Sequence, residues 1–265
     1  MNPEEKFEAL KTILLDCAPL AVAFSGGVDS SFLLKMASDI LGDRVVAYTA
    51  DSVFIPRSEF EDAVSFCRRY GIRQETVQID VLSDPRVSSN PPDRCYHCKK
   101  TIFSRILDRA GKAGCSVVAD GSNADDAGDY RPGMRALREL GIRSPLREAG
   151  LTKAEIRILS RQMELDCWDK PSMACLASRI AYGETLNADR LQAVEEAEAL
   201  IRRAGIRQSR VRVHGPIARI EVPPDEYALV LNERESITTL LKSRGFSYVT
   251  LDLEGFRSGS MNEIL

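Results

Sequence analysis

The chain has 265 residues, 44% of them hydrophobic and 28% charged, and its 36 Lys+Arg against 39 Asp+Glu leave a net charge of only -3. Such a length holds one large domain, or a principal domain with a smaller companion, and the near balance of charge excludes a general nucleic-acid or membrane-surface binder while leaving room for a local basic patch. No apolar run reaches the roughly 18 residues of a membrane span, and MNPEEKFEALKTILLDC reads as an acidic amphipathic helix rather than a secretion signal, so a cytoplasmic protein is expected.

Between residues 18 and 120, four short apolar runs at 19–24, 44–50, 75–80 and 115–120 alternate with amphipathic stretches at 29–41, 56–71 and 99–113. Strand and helix in alternation imply a parallel sheet covered on both faces. The polar stretch GSNADDAGDYRPGM (121–134) reads as a loop beyond the fourth strand, where open parallel sheets receive their ligands. Residues 144–160 read as a loop and helix, and 165–187, with two cysteines and many turn residues, as an irregular functional segment. From 187 the pattern restarts with a helix over 188–204, strands at 209–215 and 218–222, a helix over about 224–244 and a strand at 248–253. The expected architecture is α/β: a parallel-sheet domain over 1–186 and a smaller α+β domain over 187–265.

The first strand runs directly into Ser25-Gly26-Gly27-Val28-Asp29-Ser30-Ser31 and then a helix. Such a turn exposes backbone N–H groups, aims the positive end of the helix dipole at its ligand, and uses glycine for close approach, all of which favour phosphate. It is neither GxxxxGK[ST] nor GxGxxG. SGGVDSS resembles the pyrophosphate loop of the N-type ATP pyrophosphatases, the superfamily of GMP synthetase and NAD synthetase. The resemblance implies an adenine nucleotide alpha hydrolase-like fold and cleavage of ATP between its α- and β-phosphates, with Mg2+ spreading the charge of the leaving group. Asp29 either positions that metal or complements the helix dipole. Thr49, Ala50 and Asp51 lie where this superfamily meets adenosine, and Gly121, Asn123, Asp125 and Asp126 resemble the second nucleotide and metal loop of NAD synthetase-like members.

Seven cysteines, Cys17, Cys67, Cys95, Cys98, Cys115, Cys167 and Cys175, are the compositional oddity. In a reducing compartment an odd number of thiols is no disulfide framework, so each is a small buried hydrophobe or a reactive or metal-binding group. Cys95-Tyr-His-Cys98 can share a metal or cluster, and Arg94, Lys99 and Lys100 favour thiolates there. Cys175, in the irregular segment PSMACLASR, is the third candidate ligand. Three thiolates leave a tetrahedral zinc site open, yet they hold a 4Fe-4S cluster with one iron available for sulfide. The other readings are a zinc site, or unlinked thiols of which Cys175 alone is reactive. Cys17, Cys67, Cys115 and Cys167 read as structural.

SGGVDSS, RCYHCKK, DGSNADDAGDYRPG, PSMACLASRI and RVRVHGPIARIEV together resemble the LarE family over nearly the whole chain. That resemblance implies an ATP-dependent sulfur transferase that adenylates a carboxylate of pyridinium-3,5-dicarboxylate mononucleotide and converts it to a thiocarboxylate, for the nickel-pincer cofactor of lactate racemase. One branch of the family sacrifices the sulfur of a single cysteine at the position of Cys175; another relays sulfide through a 4Fe-4S cluster on three cysteines. With Cys95 and Cys98 present beside Cys175, the chain resembles the cluster branch. Ser178, Arg179, Arg210 and Arg212 resemble the family's substrate-phosphate site, against the plainer reading of Arg210 and Arg212 as an exposed strand face. Glu198 and Glu221 are weaker candidates for a metal or substrate contact, and Glu198 is expected to be solvated on its helix. The resemblance also implies a homo-oligomer, such as a hexamer, and a small sulfur donor as partner. A tRNA-thiolating enzyme shares the loop, the CxxC and a distant cysteine, but the acidic balance and the lack of an RNA-binding appendage count against it. A nucleotide-binding regulatory protein would have no need of the cysteine trio.

Overall fold

A computed structural model of the chain describes residues 2–128, 132–171, 174–257 and 259–262. Residues 129–131 of the polar loop and 172–173 beside Cys175, both part of the motifs above, lie outside the described residues. The chain forms two compact units, one built from residues 1–80 and 95–173, the other from 81–94 and 174–265. Where the sequence pattern draws one cut after residue 186, the second unit is therefore discontinuous. Its extra segments are tied by hydrogen bonds: buried Asn90 donates to the carbonyls of Ile180 and Ala181, and the Leu186 N–H donates to the Ser88 carbonyl at 2.7 Å.

In chain order the first unit contains α1 (Pro3–Asp16), β1 (Leu20–Ala23), α2 (Val28–Leu41), β2 (Val45–Asp51), α3 (Arg57–Arg69) and β3 (Gln74–Gln78). The short α4 (Pro85–Ser88) belongs to the second unit, and α5 (Arg94–Lys112) begins at the junction. The first unit continues with β4 (Val117–Ala119), α6 (Pro132–Glu139), α7 (Pro145–Glu148) and α8 (Lys153–Gln162). Its sheet has the order β3-β2-β1-β4 with every pairing parallel, as the alternating pattern predicts. The central strand β1 and helix α2 carry the apolar core: Leu20, Val22, Phe32, Leu33 and Leu34 are buried against Leu10 and Leu14 of α1 and Ile156 of α8. A strand covered on both faces has no polar side to present, which is why LAVA is apolar throughout.

Two expectations shift. The helix expected from 99 starts at Arg94, because Pro91 and Pro92 act as the stop and the following residues contain no breaker. Cys95 and Cys98 thus stand in the first turns of α5, not in a loop ahead of it. The polar loop after β4 ends early as well, since Pro132 opens α6.

The second unit continues with α9 (Ala188–Arg203), the hairpin β5 (Arg210–His214) and β6 (Ile217–Glu221), then α10 (Tyr227–Asn232), α11 (Arg234–Ser243) and β7 (Tyr248–Leu251). The β5–β6 pairing is antiparallel through Gly215-Pro216, with Gly215 at φ +54, a conformation that a two-residue hairpin turn needs. β7 joins β6 in parallel, giving the order β5-β6-β7. The single helix expected over 224–244 is interrupted at Glu233, which ends α10 and precedes α11.

Candidate active site

The phosphate-type turn stands at the carboxyl end of β1. Gly26 has φ +73, and a Cβ there would lie 3.2 Å from the Ala63 Cβ of α3, so both the backbone and the packing call for glycine. The turn is braced internally: the Ser25 and Ser30 hydroxyls are 3.1 Å apart, and Ser30 Oγ donates to the Gly27 carbonyl at 3.1 Å. Gly27 caps α2 without a side chain, which leaves the first-turn N–H groups to an outside acceptor with the helix dipole behind them. Ser30 and Ser31 are buried in that first turn.

Gly121, on the loop after β4, lies against the same helix end. A Cβ there would come 2.9 Å from the Ser30 nitrogen and 3.0 Å from its Cα, so this close approach also depends on glycine. The loop then closes on itself: the Asp125 N–H donates to Asn123 Oδ1 at 2.9 Å, and the Asn123 N–H to Asp126 Oδ2 at 3.0 Å. Lys153, at the start of α8, links the two loops. Its N–H donates to Asp125 Oδ2 at 2.8 Å and its Nζ donates to Asp29 Oδ2 at 2.5 Å. The remaining oxygen, Asp29 Oδ1, is buried without a hydrogen-bond partner. An orphaned carboxylate oxygen beside a phosphate-type turn fits a divalent cation.

The sequence reading missed Lys153. The available signal was the capping box formed by Thr152 and Glu155, which marks the next residue as the start of a helix. It also missed Lys170, whose Nζ lies 2.9 Å from Glu59, 2.7 Å from Asp62 and 3.4 Å from the Gly26 carbonyl. Thr49 and Asp51 stand at the carboxyl end of β2, next to β1. The Thr49 hydroxyl accepts from Gln74 at 2.7 Å, and Asp51 pairs with Arg57 at 2.6 Å.

Cys95 and Cys98, one helical turn apart on α5, share a face and are both half-buried. Cys175 is half-buried in the second unit, where its carbonyl accepts from Ser178 Oγ at 2.8 Å and from Arg179 Nη1 at 3.0 Å. None of the seven cysteines is in a disulfide. Among the described residues no group of three or more His, Cys, Asp or Glu is arranged to hold a metal ion. Cys95 and Cys98 belong to the first unit and Cys175 to the second. Cys17 and Cys67 are buried, while Cys115 and Cys167 are half-buried; desolvation raises the pKa of Cys17, Cys115 and Cys167 and pushes that of Cys67 up to about 12.

The second unit buries a cluster of charged side chains. Arg179 is fully buried and makes a two-pronged pair with Glu198, Nε to Oε1 and Nη2 to Oε2, each at 3.0 Å. Glu198 is only 3% exposed, which corrects the expectation of a solvated helix position: it lies on the α9 face that packs against β5, where it also accepts the Val211 N–H at 3.0 Å. Arg210 and Arg212 are buried too, so the exposed-strand reading fails for both. Arg212 pairs with buried Glu221 at 3.0 Å and donates to the Ser178 carbonyl at 3.0 Å. Burial pushes the Arg210 pKa down to about 10, with Arg179 adding repulsion, which still leaves a cation at neutral pH.

A parallel sheet whose central strand turns through SGGVDSS into a helix defines a PP-loop ATP pyrophosphatase. The NAD synthase family profile matches residues 15–91, the segment that carries this turn. The pyridinium-3,5-bisthiocarboxylic acid mononucleotide synthase of Lactiplantibacillus plantarum is 42% identical over 98% of the chain and 95% of its own length. Uncharacterized proteins of Synechocystis and Methanocaldococcus jannaschii are 40% and 30% identical over 99% and 97% of the chain, and 98% and 95% of their own lengths. The chain belongs to the LarE family of that synthase. Among the described residues no helix is long and apolar enough to cross a membrane.

Proposed function

We propose that the protein is an ATP-dependent sulfur transferase that adenylates a carboxylate of pyridinium-3,5-dicarboxylate mononucleotide and replaces one of its oxygens by sulfur, in nickel-pincer cofactor synthesis. The observation that carries this reading is the 42% identity with the Lactiplantibacillus synthase across almost the entire chain. In the first step a substrate carboxylate oxygen attacks the α-phosphorus of ATP and the bond to the β-phosphate breaks. Pyrophosphate leaves with its charge received by Ser25, Gly26, Gly27, Ser30 and Ser31 and the Lys153 ammonium. Asp29 and Asp126 would hold a Mg2+ that neutralises the triphosphate, while Gly121 and Asn123 shape the facing loop and Thr49 and Asp51 meet adenosine. In the second step hydrosulfide adds to the acyl carbon, AMP leaves with the bonding pair, and a proton is lost to give the thiocarboxylate. Adenylation is needed because oxide is not a viable leaving group.

Ser178, Arg179, Arg210 and Arg212 would serve the substrate phosphate. Arg210 and Arg212 supply the charge, and Arg179, committed to Glu198 and to backbone carbonyls, holds the turn after Cys175. Cys95, Cys98 and Cys175 would hold a 4Fe-4S cluster, which when bound supplies an iron open to external sulfide. The family reading carries a homo-oligomer with it, which sedimentation tests. The decisive assay supplies ATP, Mg2+, the dicarboxylate nucleotide and sulfide, and expects AMP, pyrophosphate and thiocarboxylate together. Pyrophosphate release that requires tRNA instead of the nucleotide would overturn it. Iron bound after anaerobic reconstitution should disappear in Cys98→Ala. Conversion of Cys175 to dehydroalanine in a whole-protein mass spectrum would replace the cluster route by the sacrificial one.

A further inference from the structure

Lys170 lies outside every motif discussed above, yet it touches the nucleotide turn. Its side chain is 17% exposed, and its ammonium meets Glu59 at 2.9 Å, Asp62 at 2.7 Å and the Gly26 carbonyl at 3.4 Å. Glu59 and Asp62 lie one turn apart on α3, beside Ala63, the residue on which Gly26 packs. The three contacts therefore converge on one side of the turn.

In a planar trans peptide the carbonyl and the N–H point in opposite directions. The Gly26–Gly27 bond is trans, and Gly26 stands outside the ladder of α2, whose first bond runs from the Ser31 N–H to the Gly27 carbonyl at 2.9 Å. Nothing in the helix thus fixes the Gly26 carbonyl, and glycine on both sides of the bond gives that peptide unusual freedom to rotate. A cation anchored by two carboxylates can fix it. With the carbonyl held by Lys170 beside α3, the Gly27 N–H of the same trans peptide points the opposite way, away from that clamp.

We infer that Lys170 is a positioning residue for ATP: by holding the Gly26 carbonyl it aims the Gly27 N–H at the β- and γ-phosphates. The inference rests on the PP-loop reading of the turn. Lys170 need not touch the nucleotide, because its three acceptors already occupy the three protons of an ammonium. Burial disfavours its charge, but Asp62 and Glu59 more than offset that and raise its pKa, so the clamp stays protonated at neutral pH.

The test measures binding of ATP, pyrophosphate and AMP to the full chain. In Lys170→Met, ATP and pyrophosphate should both weaken about ten-fold or more, the loss of one charge-assisted hydrogen bond, while AMP binding is unchanged. In steady state the KM for ATP should rise more than kcat falls, and Lys170→Arg should recover most of the loss. The triple variant K170M/E59Q/D62N should keep the defect. Recovery in the triple variant would show that Lys170 merely screens the carboxylates, and would overturn the inference. Equal weakening of AMP would point to general damage of the unit and overturn it too, as would wild-type pyrophosphate affinity in Lys170→Met. A wild-type protein that binds neither ATP nor pyrophosphate would sink the PP-loop reading itself, an outcome distinct from all of these.

Discussion

Replacing Glu198 by glutamine removes the charge that balances the most deeply buried cation of the second unit. The Arg179 guanidinium spends its Nε and Nη2 on Glu198, and its Nη1 on the carbonyls of Ala174 and Cys175 at 2.5 and 3.0 Å and on Ser178 Oγ at 3.1 Å. Glu198→Gln preserves the size of the side chain and keeps an oxygen for the Val211 N–H. It also turns an amide NH2 toward a guanidinium and leaves that charge unbalanced. Breaking a buried pair by removing one partner costs about 3–5 kcal/mol, and the retained oxygen puts this variant near the lower bound, about 3 kcal/mol. In a unit of about a hundred residues each kcal/mol shifts the midpoint by roughly 4 °C or more, so a drop of about 12 °C is expected. Far-UV circular dichroism follows the loss of the unit. Fluorescence of Trp168, the one tryptophan of the chain, reports on the first unit and serves as the internal control. The double variant Arg179→Met with Glu198→Leu should regain most of the lost stability, because it leaves no charge buried. A Glu198→Gln midpoint within a few degrees of wild type, or a double variant as unstable as the sum of the single ones, would refute the pairing argument.

Gly121→Ala should raise the KM for ATP at least about ten-fold, with a stability loss of about 1–3 kcal/mol, because the new methyl meets the Ser30 backbone rather than a movable side chain; wild-type kinetics in the alanine variant would disprove the close approach. Lys6 beside Glu155, together with the Thr152 N–H, pulls the Glu155 carboxyl down to about 2, well below its unfolded value of roughly 4.3. Its stabilisation is therefore complete above the unfolded pKa and is lost as pH falls through about 2, so Glu155→Gln should flatten that stretch of an acid titration of stability. Thr152→Ala, which removes the other half of the same cap, should cost about 1 kcal/mol in denaturant unfolding. Brief alkylation of the folded, iron-free protein at neutral pH should label Cys95, Cys98 and Cys175 and spare Cys17 and Cys67, as peptide mass mapping can show; rapid labelling of Cys67 would contradict its burial and raised pKa.

The nucleotide turn was readable in the sequence because its chemistry is local: glycines, hydroxyls and an acid follow a strand within seven residues, and the same residues make the turn. The parallel sheet was readable for the same reason, since each strand carries its own apolar run. The helix start ahead of Cys95 was missed because Pro91 and Pro92 read equally well as the end of a loop. The least readable features were pairings that depend on which faces meet. Glu198 is 19 positions from Arg179, and Ser178 is 34 from Arg212. Glu198 shares its helix face with buried Val194, Ala197 and Ile201, yet nothing in that pattern marks that an arginine from another element will fill the space beside it. Lys153 and Lys170 escaped on the same ground, since their partners Asp29, Glu59 and Asp62 lie more than a hundred residues earlier.

A net charge of -3 therefore says little about how the protein meets an anion. Several ion pairs are exposed couples one turn apart, such as Lys35 with Asp39 and Lys112 with Asp108, and each contributes at most a few tenths of a kcal/mol. The pairs around the nucleotide turn differ in consequence because the lysines are held rather than mobile. Asp29 keeps the Lys153 ammonium beside the first turn of α2, and Glu59 with Asp62 keeps that of Lys170 on the Gly26 carbonyl. Placing those cations before the triphosphate arrives means that binding need not restrict two long, flexible side chains. The orphaned oxygen of Asp29 fits the proposed function: a Mg2+ would bind Oδ1 while Oδ2 stays on Lys153, so that metal and lysine would act on the phosphates together without competing for one carboxylate.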